Sequence, residues 1–146
     1  EMLSRGVHVS LGADGAPCNN NLDMFTEMRL AALLQKPRAG VAAIPARTVL
    51  EMATLKGAQA LGLDGEIGSI EPGKRADLIV VDVSTPHAAP GDDLAGRIVF
   101  SARASDVHTV LVDGQTVVHN RRLIVADPDE IVAQATGELE TLRRRL

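Results

Sequence analysis

Val7-His8-Val9-Ser10-Leu11-Gly12-Ala13-Asp14-Gly15 is the stretch on which the reading of the fold turns. Its first five residues alternate apolar with polar types and are rich in β-branched side chains, the pattern of a strand, and Gly12 to Gly15 then end it. A carboxylate at the C-terminal end of a barrel strand, flanked by glycines that let a ligand come close, is how such folds place chemistry. Taken alone the signal is weak, because Asp-Gly is common in ordinary turns, and a structural turn is then the plainer reading.

Downstream, a loop with Pro17 and Asn19-Asn20-Asn21 leads to a segment of strong helix formers from Leu22 to about Lys36, with Phe25, Met28, Ala32 and Leu33 apolar. A second helix is expected from Pro45, suited to the first helical position, through Val49, Leu50, Ala53 and Leu61, stopping at Gly62. Strand followed by helices is α/β grammar. After Gly65 the character changes. Glu71-Pro72-Gly73-Lys74 predicts a type II turn, and Ala76–Val83 reads as a well-buried strand. Asp113-Gly114 between Val107–Val112 and Thr116–Val118 predicts a hairpin, to which Leu123-Ile124-Val125 adds a third strand. Asp127-Pro128-Asp129-Glu130 predicts a capped helix start, Glu130 completing a capping box, with Ile131, Ala135, Leu139, Leu142 and Leu146 on one stripe.

Bulk composition limits the classes open to the chain. Its 146 residues are 45% hydrophobic, with two Phe and neither Trp nor Tyr, so a core must come from aliphatic residues and Met. The net charge of −4 and the scarcity of aromatics argue against nucleic acid, since Arg143 to Arg145 form the one basic cluster. No apolar run reaches the roughly 20 residues that cross a bilayer. A lone Cys18 allows no internal disulfide, so a cytoplasmic setting is the default expectation. Glu1 to Gly6 show neither a leader pattern nor a natural start, so the chain reads as beginning within a longer one.

Several motifs together carry a resemblance. Val9-Ser10-Leu11-Gly12-Ala13-Asp14-Gly15, Asn19-Asn20, Leu22-Asp23-Met24 and Glu27-Met28-Arg29 resemble the last barrel strand and following helix of the amidohydrolase superfamily. The subgroup is that of methylthioadenosine and S-adenosylhomocysteine deaminases and triazine hydrolases. Met52-Ala53-Thr54, Gly57-Ala58, Ala60-Leu61-Gly62, Ile67 to Lys74 and Ala76 to Val80 are similar to the stretch that leaves that barrel and enters its β-sandwich. Arg75 is inserted in the common Gly-Lys-Ala-Asp-Leu pattern. Asp106-Val107, Val112-Asp113-Gly114 and Val117-Val118 extend the match over nearly the whole chain.

The resemblance implies an α/β fold: residues 1–64 as the C-terminal end of a (β/α)8 barrel, 65–126 as the C-terminal part of a β-sandwich, and 127–146 as a C-terminal helix. It implies that Asp14 ligates a divalent metal, zinc first and iron second, and shuttles the proton in hydrolytic deamination of an aminated heterocycle such as an adenosine derivative. The family's His-x-His pair, its further His ligands and its proton-donating Glu have no counterpart here, because no two of His8, His87, His108 and His119 have His-x-His spacing. The partners implied are therefore a small-molecule substrate and a missing N-terminal part of the same protein, with a homo-oligomer left open. The chain alone is expected to be inactive.

Asn19 and Asn20 either orient the loop or touch substrate. Cys18 stands where the family usually has Ser and has no neighbouring base to make it a nucleophile. About six residues at about 3.3 Å each put His8 roughly 20 Å from Asp14, too far to share a metal, so His8 reads as a polar filler of the barrel interior. His87 reads as an exposed loop residue, His108 and His119 as solvent-facing, and Glu27 with Arg29 as an ion pair positioning the segment. Two alternatives remain: a non-catalytic β-rich interaction module whose hairpin and terminal helix form its interface, and an amidohydrolase acting on a triazine, amide or cyclic urea.

Overall fold

The structure, a computed structural model, describes residues 1–145. Leu146, the end of the expected terminal stripe, lies outside the described residues.

Helix α1 (Met24–Leu34) starts where Asp23 caps it, its carboxylate accepting the Phe25 N–H (2.9 Å) and the Thr26 hydroxyl (3.0 Å). It begins two residues later than expected because Leu22 sits at φ +47° in the turn before the cap. It ends early because Pro37 lacks an N–H and crowds the carbonyl four residues back, and a short α2 (Lys36–Ala39) follows up to Gly40. Phe25, Met28 and Ala32 share the buried face.

The expected second helix is two: α3 (Ala46–Ala53) and α4 (Leu55–Ala60). Pro45 is the cap of α3 and not its first residue. The break falls at Thr54 (φ −126°, ψ −95°), whose hydroxyl donates to the Leu50 carbonyl at 2.8 Å. A β-branched residue with such a local alternative competes with the helical ladder. Gly62, at φ +69°, closes the segment as expected.

The sheet is antiparallel in the order β1 (Leu78–Val81), β2 (Val107–Val112), β3 (Gln115–His119), β4 (Arg122–Leu123). Leu78 faces Leu111, Ile79 faces Val110, and a register shift follows Val80. The β2–β3 turn has Asp113 at φ +50° and Gly114 at φ +77°, the type I′ geometry that the dipeptide predicts. Asn120 and Arg121 make a second tight turn, both at positive φ, that the sequence reading did not foresee. Gly73 at φ +93°, with Lys74 N–H bonded to the Glu71 carbonyl (3.2 Å), bears out the type II turn. Among the described residues these four strands form a single sheet.

Two strand expectations need correction. Val7–Leu11 forms no strand: among the described residues no neighbour pairs with it, and the Leu11 N–H donates to the Met52 carbonyl instead (3.0 Å). An extended segment becomes a strand only through lateral pairing of its amides. β1 is an edge strand and is not well buried, since Ile79 and Val80, on opposite faces, are 55% and 52% exposed.

The core lies among the helices. Phe25, Met28 and Ala32 of α1 meet Ala46 and Val49 of α3, and they are joined by Val99 from a π-helical segment (Arg97–Ser101) that follows the single turn α5 (Leu94–Gly96), and by Ala102 just after it. The terminal helix α6 (Pro128–Arg143) has Asp127 as its cap, accepting the Asp129 N–H at 2.9 Å. The expected capping box does not close, because the Glu130 carboxylate takes the Gln134 amide one turn on (3.1 Å). No residue of α6 is buried.

Candidate functional site

Asp14 sits at φ +60°, a left-handed conformation uncommon for a residue with a side chain, and its carboxylate is exposed. Its Oδ1 accepts the N–H of Gly15 at 2.8 Å, which fixes the carboxylate plane and leaves Oδ2 open. The Gly15 carbonyl then accepts the N–H groups of both Cys18 and Asn19 at 2.9 Å, closing a compact turn. Cys18 is exposed at that turn.

Asn19 is occupied on every side. Its Oδ1 accepts the N–H of Asn21 (3.1 Å) and of Leu22 (3.3 Å), and its Nδ2 donates to Glu27 Oε1 at 2.6 Å. These contacts tie Asn19 into the loop and to α1. Asn20 is exposed beside it. Glu27 and Arg29 do not form the expected ion pair, because residues two apart on a helix do not face each other. Arg29 instead donates to the Phe100 (3.0 Å) and Ala102 (2.7 Å) carbonyls and fastens α1 to the π-helical segment.

The histidines take up different places. His8 Nε2 donates to the Lys56 carbonyl on α4 at 2.8 Å, which assigns it the ring proton. His108 and His119 meet edge to face with ring centroids 6.1 Å apart, and His108 is half-buried and not fully solvent-facing. His87 is an exposed loop residue, as expected, yet its Nε2 also lies 2.8 Å from Oδ2 of the buried Asp106. Burial pushes the Asp106 carboxyl up, but the His87 hydrogen bond, the Arg103 N–H (2.9 Å) and the nearby positive charge outweigh it and hold the pKa below the usual carboxylate value. His87 and Asp106 are nineteen positions apart, so no local pattern announces the pair. Thr85 Oγ1 lies 3.3 Å from the same ring nitrogen, so the three do not form a relay through both sides of the imidazole. In the turn ahead of β1, Glu71 is held low by the Ser69 hydroxyl and by Lys74, whose ammonium also bonds the Asp64 carbonyl (2.6 Å).

Among the described residues no group of three or more His, Cys, Asp or Glu side chains converges as a metal cage. At the turn singled out by the sequence, the Asp14 carboxylate is exposed and oriented by the Gly15 N–H.

The amidohydrolase family pattern matches residues 1–117. The chain belongs to the amidohydrolase family. It is 50% identical over 140 residues to the 5-methylthioadenosine/S-adenosylhomocysteine deaminase of Moorella thermoacetica, covering 95% of this chain and 33% of that protein. Among solved structures, an adenosine deaminase from Xanthomonas campestris with bound zinc superposes with a TM-score of 0.92 at 38% identity, over 98% of this chain and 33% of that one. Atrazine chlorohydrolase from Arthrobacter aurescens, complexed with zinc, superposes at 0.80 and 31% identity over 92% of this chain and 30% of that one. This amidohydrolase chain therefore spans about a third of the length of the curated relatives it matches. No described helix is long and apolar enough to cross a membrane.

Proposed function

We propose that this chain is the C-terminal part of a metal-dependent aminohydrolase that replaces the exocyclic amino group of an adenosine-type nucleoside with oxygen. Residues 1–64 end its catalytic barrel, 65–126 supply part of a β-sandwich, and the remainder carries its terminal helix α6. The observation that carries the reading is Asp14, in a glycine-flanked turn with one carboxylate oxygen fixed and the other open, in a chain half identical to a deaminase.

Asp14 fits a divalent ion that accepts carboxylate oxygen as one ligand, and the remaining ligands would come from outside this chain. Such an ion, zinc first and iron second, would supply a water whose pKa is lowered far below its bulk value, to near neutrality. The Asp14 carboxylate takes up a proton and returns it to the departing amine, so that water and aminated heterocycle give the oxo-heterocycle and ammonia in balance. Glycines 12 and 15 keep bulk away from that carboxylate. Asn20 is the loop residue available to meet the substrate, since the polar atoms of Asn19 are engaged.

The test is Asp14→Asn in the full-length protein loaded with stoichiometric zinc. Deamination of methylthioadenosine and adenosine is expected to fall by at least about 10²-fold, with metal content reduced. Unchanged activity and metal content would remove Asp14 from the site. A second reading, favoured by the likeness to atrazine chlorohydrolase, keeps the same carboxylate with a chlorinated triazine as substrate. Turnover of the triazine with none of the nucleosides would select it.

A further inference from the structure

We infer that Asn19 and Glu27 are positioning residues that hold the Asp14 carboxylate in place for its metal, an inference that rests on the reading of Asp14 given above. A non-glycine residue at φ +60° persists only where its surroundings over-determine it. Among the described residues no strand ladder holds residues 12–15: the Leu11 N–H on the Met52 carbonyl ties the side before them, and the loop that follows constrains the other side. That loop is tied from within, by the two N–H groups on the Gly15 carbonyl and the two on Asn19 Oδ1. It is tied to the body of the molecule by Asn19 Nδ2 on Glu27 Oε1, in the first turn of α1. The helix is in turn fastened to the core by Arg29 on two carbonyls. The connection from rigid core to Asp14 therefore runs Arg29, α1, Glu27, Asn19, Gly15.

One other side-chain contact helps hold the loop to α1, and the lengths rank the two. Asn21 Nδ2 to Thr26 Oγ1 is 3.3 Å, exposed and neutral. Asn19 to Glu27 is 2.6 Å, partly buried and made to a carboxylate, the stronger kind of hydrogen bond. The Asp23 cap starts the helix but reaches no residue of the loop beyond itself among its side-chain bonds to Phe25 and Thr26. Glu27 is thus the anchor, and Asn19 is the piece that converts a fixed helix into a fixed turn.

The experiment uses the full-length zinc-loaded protein with Asn19→Asp, Glu27→Gln, the double variant N19D/E27Q and, as reference, Asp14→Asn. N19D keeps the acceptor that closes the turn but sets a second carboxylate against Glu27. Outer-sphere residues of metal sites typically weaken affinity or activity about 10–100-fold when lost. N19D is expected to raise the zinc dissociation constant, read by chelator competition, and to lower kcat by about tenfold or more, at the low end of that range, with KM unchanged. E27Q keeps the accepting oxygen and is expected to stay near wild type. In the double variant the amide that E27Q introduces donates to the carboxylate that N19D introduces, so zinc affinity and kcat are expected to recover. A rise in KM alone would make Asn19 a substrate contact and overturn the inference. So would N19D with unaltered zinc affinity, or a double variant no better than N19D. Should N19D not fold, Glu27→Ala leaves the turn intact and must show the same loss of zinc affinity. If Asp14→Asn loses zinc while the N19D and E27A proteins keep it, the positioning inference fails alone. If Asp14→Asn keeps both zinc and activity, the reading of the site fails with it.

Discussion

Burial works against the Asp106 carboxylate, yet the group stays charged because His87 and the Arg103 amide both converge on Oδ2. Its folded pKa is lowered, so the stability it contributes is present above the ordinary carboxylate value and lost as pH falls through the folded one, a window below about pH 4. Asp106→Asn removes that titration while keeping an acceptor. The stability gap between wild type and variant, measured by denaturant unfolding, is expected to narrow from pH 5 to pH 3. Parallel curves would place the acid sensitivity elsewhere. Asp106→Ala strands the Arg103 N–H and His87 together and is expected to destabilise the protein by about 1–3 kcal/mol at neutral pH. The two Asp residues differ in legibility. Asp14 stands in a local motif and could be singled out by reading along the chain, whereas its left-handed backbone and the Asn19–Glu27 tie depend on how the loop folds back. Asp106 carries no local mark, because the partner that matters is nineteen residues away.

Elements whose cause is local were legible, and those whose cause is a neighbour were not. Asp113-Gly114 dictates a type I′ turn through two positive φ angles, and β-branched residues on both sides supply the strands. Pro72-Gly73 works in the same way. The apolar run into β1 says that those residues are to be covered, but it cannot say that the covering surface lies outside the sheet they join. At Glu130 two local rules compete, and the i,i+4 contact with Gln134 wins over the capping box. Two glycines separate backbone freedom from close packing. A Cβ on Gly114 would meet open space, so Gly114→Ala carries mainly the left-handed penalty of roughly 1–2 kcal/mol. A Cβ on Gly68, at φ +91°, would lie 2.6 Å from the Ala58 Cβ and 3.0 Å from the Leu55 Cα, adding an overpacking strain of about 1–3 kcal/mol. Gly68→Ala is expected to be the more destabilising of the two in thermal unfolding. Equal losses would mean that the 66–70 segment does not pack on α4 as described.

At the scale of the molecule the decisive quantity is surface. The chain exposes 10287 Å², against about 7,200 Å² for a compact monomer of its 15.4 kDa mass. The excess, on the order of 3,000 Å² on that scaling, is carried in part by α6, where Ile131, Val132, Leu139 and Leu142 are each about half or more exposed. Ile70 in the turn before β1, and Ile79 and Val80 on its open edge, add to it. An unpaired apolar strand edge is a template for association, which charge on the edge suppresses. The 146-residue chain prepared by itself is therefore expected to associate with rising concentration in sedimentation analysis and to bind a hydrophobic dye. Val80→Lys is expected to shift that equilibrium toward the monomer. The two signals have separable sources, since β1 offers an open strand edge whereas α6 offers apolar surface with no buried residue. Ending the chain after Ala126 is then expected to lower dye binding while changing the unfolding free energy of the remainder by no more than about 0.5 kcal/mol, the range of surface changes. A dye-silent monomer at all concentrations would show that these apolar faces close on one another in solution, and would return the free-standing interaction module to consideration.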